Sequence, residues 1–254
     1  MPRGTCGPAE RGSRWQLQRY VNDSPGELET LILESRASLA RFTEGLFRWV
    51  SPLRERDYRE YSGKRFLHVL ELSHLCGALA KFWPSRGPWW DALAILQGTD
   101  GRRGYLLVEA KSHLRELKGG GCRATRLGRS RIETALAKVR AALCVDQMRT
   151  WTDEYYQYAN RLAHLHFLRK RGAEAWLVYL YFLRDETLEG VRVPSTREEW
   201  LLGFRPQQGI LSLRQTLGIS GNHWLSEYVV EVFVDAFSIG SNGWDHRGFP
   251  ANPA

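Results

Sequence analysis

The chain has 254 residues, of which 43% are apolar, 25% charged and 12% aromatic, and 36 basic against 28 acidic side chains give a net charge of +8. That length suits one large domain or two small ones with a buried core, and the composition excludes a disordered, collagen-like or low-complexity chain. No apolar run reaches the ~18 residues of a membrane helix, MPRGTCGPAERGSR has no apolar stretch of a secretory signal, and Cys6, Cys76, Cys122 and Cys144 lack metal-site spacing.

A cytoplasmic protein with reduced thiols and no membrane association is therefore expected. Six of the basic residues are lysine and thirty are arginine. Arginine suits bidentate phosphate contact, although codon bias in a GC-rich genome yields the same excess.

Residues 1–20 and 240–254 are rich in Gly, Pro, Arg and Ser. They read as flexible tails around one domain over 21–239. Ser24-Pro25-Gly26-Glu27 is a helix start, and Leu28, Leu31, Ile32, Leu39, Phe42 and Leu46 extend it at helical spacing to a predicted helix over 25–49. A second helix is expected over 63–82, with Phe66, Leu67, Leu70, Leu75 and Leu79 as its stripe.

The period then changes. Trp89–Leu96 and Gly104–Ala110 read as strands joined by the turn-forming QGTDGRR, a β-hairpin. Residues 112–131 start helically and then loop. Helices follow over 131–148 and 152–171. Strand 174–183 is apolar on both faces, hence interior to a sheet. Thr196-Arg197-Glu198-Glu199 opens a short helix. Residues 223–237 carry apolar groups at helical spacing with many β-branched residues, and a helix is expected there.

The hairpin carries the chemistry. With its turn centred near residue 100, opposed residues sum to about 200, so Asp91 faces Glu109 with Cβ atoms roughly 5 Å apart. Glu109 and Lys111 share a face of their strand. Two neighbouring carboxylates beside an apolar sheet call for a cation. Mg²⁺ or Mn²⁺ takes oxygen ligands, and with a lysine nearby the set is sufficient for phosphodiester hydrolysis. An ion pair at a strand end accounts for the same residues equally well. A second Glu-x-Lys, Glu116-Leu117-Lys118, follows a polar segment and is set aside.

On these residues the sequence resembles the PD-(D/E)XK nuclease superfamily, specifically an uncharacterised bacterial branch of it. The resemblance rests on Pro88-Trp89-Trp90-Asp91, Val108-Glu109-Ala110-Lys111-Ser112-His113, Asp57-Tyr58-Arg59-Glu60-Tyr61, Phe82-Trp83-Pro84, Tyr155–Leu162 and Pro194–Trp200, and covers most of 21–235. It implies a restriction-endonuclease-like α/β fold: a mixed sheet with an αβββαβ core flanked by helices. It implies that Asp91, Glu109 and the Ala110 carbonyl hold the metal, that Lys111 assists the attacking water, and that Gln157 joins them from the following helix. Glu60 and Glu71 are candidates for a further acid.

Gln157, Arg161 and His164 share one helix face. Gln157 near the lysine with Arg161 near a phosphate is one reading; a face that caps the strands through buried hydrogen bonds accounts for both equally well, and His164 is expected in the core. From Lys111 to Arg131 seven basic residues against one acid give +6. Within that run Arg115, Lys118, Arg123, Arg126 and Arg129 form a basic loop suited to a nucleic-acid backbone. The expected activity is a metal-dependent nuclease acting on DNA. A non-catalytic binding module and an RNA-directed nuclease are the alternatives. A homodimer is one expected state.

Overall fold

The computed structural model describes residues 6–146, 148, 150–213 and 223–237. Three helices come first: α1 (Gly12–Asp23), α2 (Pro25–Glu34) and α3 (Ala37–Phe42). Strand β1 (Arg48–Ser51) leads to a short β2 (Tyr61–Ser62), then α4 (Lys64–Val69) and α5 (Cys76–Phe82). Next are β3 (Trp89–Trp90), β4 (Ala92–Gln97), β5 (Arg103–Lys111), α6 (Arg126–Ala142), α7 (Tyr156–Arg169), β6 (Glu174–Leu183), α8 (Arg197–Ile210) and β7 (Val229–Asp235).

Five strands form one mixed sheet in the order β1-β4-β5-β6-β7; the first two pairings are antiparallel and the last two parallel. Because side chains alternate across a strand, the sheet has two apolar faces. Ala92, Ala94, Leu106, Val108, Val178, Leu180, Val230 and Val232 pack with Leu17, Leu28, Ile32 and Leu39 of the first three helices. Leu93, Leu107, Leu177 and Tyr179 pack on the other face with Phe66, Leu136, Leu162 and Trp200, from α4, α6, α7 and α8. Helices thus cover both faces of a mixed α/β sheet. No helix among the described residues is long and apolar enough to cross a membrane.

The expected hairpin register holds: Ala92 pairs with Val108 and Leu93 with Leu107, each summing to 200. Strand β6 matches its expected bounds and lies between β5 and β7. Thr196 caps α8, its hydroxyl accepting from the Glu199 N–H at 3.3 Å.

Several expectations are corrected. Residues 12–20, read as part of a flexible tail, belong to α1, which buries Leu17 and Tyr20. The Gln16 amide fastens that helix by donating to Asp185 Oδ1 (3.0 Å) and accepting from the Phe237 N–H (2.8 Å). The helix expected over 25–49 stops at Glu34, restarts at Ala37, and gives way to β1. Leu46, placed on its stripe, is 80% exposed. Pairing with β4 and burial of Trp49, whose indole N–H donates to Glu29 (2.9 Å), outweigh the helical spacing there. The helix expected over 63–82 is likewise split around Glu71, whose φ is +62°. The helix expected over 131–148 starts earlier, at Arg126. The helix expected over 223–237 is a 3₁₀ turn at Trp224–Tyr228 followed by β7. Its β-branched residues pair with β6 instead. The 240–254 tail lies outside the described residues.

Candidate active site

Strand β4 pairs with β5 only as far as Ala92↔Val108, while β5 continues to Lys111 against β6. Before Ala92 the chain turns away, and β3 pairs with β2 in a separate two-stranded sheet. The break falls on Asp91. Its Oδ2 accepts from the Ala110 N–H at 2.8 Å, so a carboxylate takes the place of a strand partner. The N–H and C=O of a strand residue lie on the same edge, which turns the Ala110 carbonyl toward Asp91 as well.

Glu109 and Lys111 point to the face that α7 covers. Gln157 and Arg161 stand one turn apart on that helix and meet them. Glu109 Oε1 accepts from the Gln157 amide at 2.6 Å and from the Lys111 ammonium. Glu109 Oε2 accepts from Arg161 Nε (2.6 Å) and Nη2 (2.5 Å). The Lys111 ammonium also donates to Gln157 Oε1 at 3.3 Å. Arg161 completes its bonding on Asn160 Oδ1 (2.9 Å) and the Trp89 carbonyl (2.6 Å), with its guanidinium over the Trp90 ring. Glu109 is 1% exposed and Arg161 3%.

Charge explains the titration of the set. Burial alone would push the Glu109 carboxyl up, but the Arg161 and Lys111 charges outweigh it and hold it below the usual range. Burial would lower the Lys111 ammonium, yet Glu109 and then Asp91 keep it above its ordinary value. Asp91 goes the other way: burial first, then the nearby Glu109 charge, raise it well above the normal carboxylate range despite Lys111. Glu109 is thus over-supplied with cations and Asp91 under-supplied. Glu109 raises Asp91, and both acids raise Lys111, so the two acids and the lysine form one electrostatic unit.

The further acids separate. Glu60 is buried beside Arg14 (3.1 Å), and its charge reaches Asp91. Glu71 lies at the opposite end of β5, on Arg48 and Arg103. Glu116 of the second Glu-x-Lys is bonded by the Ser112 N–H (3.1 Å) and the Ser13 hydroxyl (2.9 Å) in a 3₁₀ turn, away from Lys118, which pairs with Glu154.

Arg115, Lys118, Arg123, Arg126 and Arg129 are all exposed. They do not lie on one free loop: Arg115 sits in the 3₁₀ turn, and Arg126 and Arg129 open α6. The intervening Gly-rich segment is held to residues 152–154 by bonds from the Gly119 and Cys122 N–H groups (2.7 and 2.8 Å). Of the two readings of Arg161, the structure shows the buried one: its guanidinium is engaged by Glu109. His164 is fully buried against Trp83 and Trp90, with Nδ1–H donating to the Asn160 carbonyl (2.8 Å), as a core histidine would be. Trp83 and Trp90 are core residues.

The sequence reading missed that Arg161 holds Glu109. The available signal was electrostatic: an acid expected inside an apolar sheet needs close cations, and Arg161 is one turn past Gln157 on the same helix face. Among the described residues no three His, Cys, Asp or Glu side chains cluster as a metal cage. Comparison with family models, curated proteins and solved structures finds no match to this chain.

Proposed function

We propose that the chain is a divalent-metal-dependent nuclease of the PD-(D/E)XK superfamily that hydrolyses DNA phosphodiester bonds. The observation that carries this is the meeting of Asp91, Glu109, Lys111 and Gln157 where β5 outruns β4. The chain order α1, β1-β4-β5, α7, β6 supports the αβββαβ reading of the core.

The donor set fits Mg²⁺ or Mn²⁺. Asp91, Glu109 and the Ala110 carbonyl are hard oxygen donors, and an ion that keeps several waters does not need a third acid. Asp91, short of positive charge, is where a cation relieves the most strain. When bound, such an ion polarises a phosphoryl oxygen and lowers the pKa of a water. Lys111 then orients the attacking water and stabilises developing charge on the phosphate. Gln157 fixes the ammonium through its Oε1, and Arg161 keeps Glu109 ionised and in place. The exposed arginines along 115–129 supply backbone contacts that carry no sequence information.

Incubation of the purified protein with Mg²⁺ or Mn²⁺ and assorted DNA substrates tests the reading. Cleavage is expected, with Lys111→Ala reducing it at least 10²-fold. Cleavage unaffected by Lys111→Ala would overturn the assignment. The alternative of a non-catalytic binding module draws on one observation: both Glu109 oxygens are already engaged by Lys111 and Arg161. Calorimetry separates the two, since the module reading requires DNA binding with no divalent-ion binding.

A further inference from the structure

Between the start of α4, the end of α5 and the first turns of α6 lies a cleft of about 360 Å³ that the hydrolytic set does not use. Gly63 shapes its wall. That residue has φ +54°, and a Cβ there would come within 2.6 Å of the Ser85 carbonyl, so only glycine allows this close approach. Leu79, Pro84 and Leu127 give the cleft an apolar lining, and Lys64 and Arg131 supply two cations; no lining residue is acidic. Leu127 is 85% exposed on the first turn of α6, so its side chain is available at the mouth of the cleft. Arg131 spends one N–H on the Ala80 carbonyl (3.1 Å), and neither it nor Lys64 forms an ion pair with a described residue.

We infer that this cleft binds one unpaired nucleotide of a DNA strand. The base and sugar rest against Leu127 and Pro84, and the flanking phosphates lie at Lys64 and Arg131. This deepens the nuclease reading and rests on it for the identity of the polymer. The size argues for a single strand, because the hollow takes a nucleotide-sized group and not the width of a duplex. Unpaired strands are usually held by a cationic groove together with flat apolar contact to the base, most often from aromatic rings; in this cleft that contact comes from the aliphatic Leu127 and Pro84. The position fits too. The lining Gly63 directly follows β2, whose partner β3 ends next to Asp91, and the basic segment 115–126 runs from the end of β5 to the first turn of α6 at the cleft.

Fluorescence anisotropy with a labelled oligothymidylate and a labelled hairpin duplex, both in EDTA, tests this without cleavage. Leu127→Asp and Lys64→Glu are suitable variants. Both place an acid in the first turn of a helix, where it favours folding, and a thermal melt checks the fold. Each is expected to weaken oligothymidylate binding tenfold or more while moving duplex affinity less than twofold. Equal losses on both probes, or no loss on either, would overturn the inference. The outcomes also separate it from the nuclease reading. Absent metal-dependent cleavage with a selective loss of single-strand binding overturns only the nuclease. Lys111-dependent cleavage with unchanged single-strand binding overturns only the cleft.

Discussion

The two ends of β5 each gather acids and bases, and the contrast between them shows what burial does to charge. At the turn end, Arg103 and Arg48 meet Glu71, and Arg102 meets Asp100 and Glu174. Those side chains are largely in solvent, where such pairs contribute little and salt weakens them. At the other end, Glu109 is enclosed with Lys111, Gln157 and Arg161. There each charge depends on the others, because an unpaired one would lie in a medium that solvates it poorly. Similar residue types thus give a solvated surface network at one end and a buried, electrostatically coupled site at the other.

The sharpest way to test this contrast is Glu109→Ala. It leaves Arg161 and Lys111 buried without their acid, and a loss of about 3–5 kcal/mol in chemical denaturation is expected. A loss near zero would mean that the two cations find water, and the contrast would collapse. Asp91→Asn should do the opposite. The amide oxygen can still accept from the Ala110 N–H, while the desolvated charge disappears. The melting temperature at pH 8 is therefore expected to rise, and the stabilisation by Mg²⁺ that the proposed nuclease reading requires of the unaltered protein should be absent from this variant. The sign follows from the raised Asp91 pKa: its cost is absent below the unfolded-state value and present once the pH exceeds the folded one. The gain from Asp91→Asn should therefore shrink as the pH falls.

Two histidines of α7, His164 and His166, extend the comparison to titration. Burial pushes His164 down to about 3 and His166 down to about 4. Both rings stay neutral in the folded chain while they protonate in the unfolded one below about 6.5. Each contributes stability that is complete above that value and is lost as pH falls, at about 1.4 kcal/mol per pH unit. Carbon–proton NMR of the two rings at pH 5 should still show neutral imidazoles; protonated rings would contradict it. The smallest effect is expected from Glu71→Ala at the solvated end, a change near the error of a denaturation curve and smaller still in high salt.

Much of this layout was legible beforehand. The turn residues between two apolar runs specified the hairpin and its register as far as Ala92↔Val108; the pairing stops there, and Asp91 meets the Ala110 N–H through its carboxylate instead. The apolar run 174–183 announced an interior strand. Elsewhere, local pattern misled. Residues 229–235 have apolar groups at both helical and strand spacing, and an open sheet edge beside β6 decided the matter. Leu46 continues a helical stripe, yet the chain just after it turns to form the outer strand. Residues 12–20 look like tail by composition, but Gln16 finds its partners at Asp185 and Phe237, far away in the chain.

The sequence by itself therefore determined which side chains share the hairpin's site-bearing face, because alternation along a strand and the turn between two strands are local properties. The tertiary structure alone decided that Arg161 would neutralise Glu109, that Asp91 would stand in for a missing strand partner, and that the cleft would open between Lys64 and Arg131. Those outcomes depend on how helices dock onto the sheet and where solvent is excluded, and no local stretch of residues encodes either one.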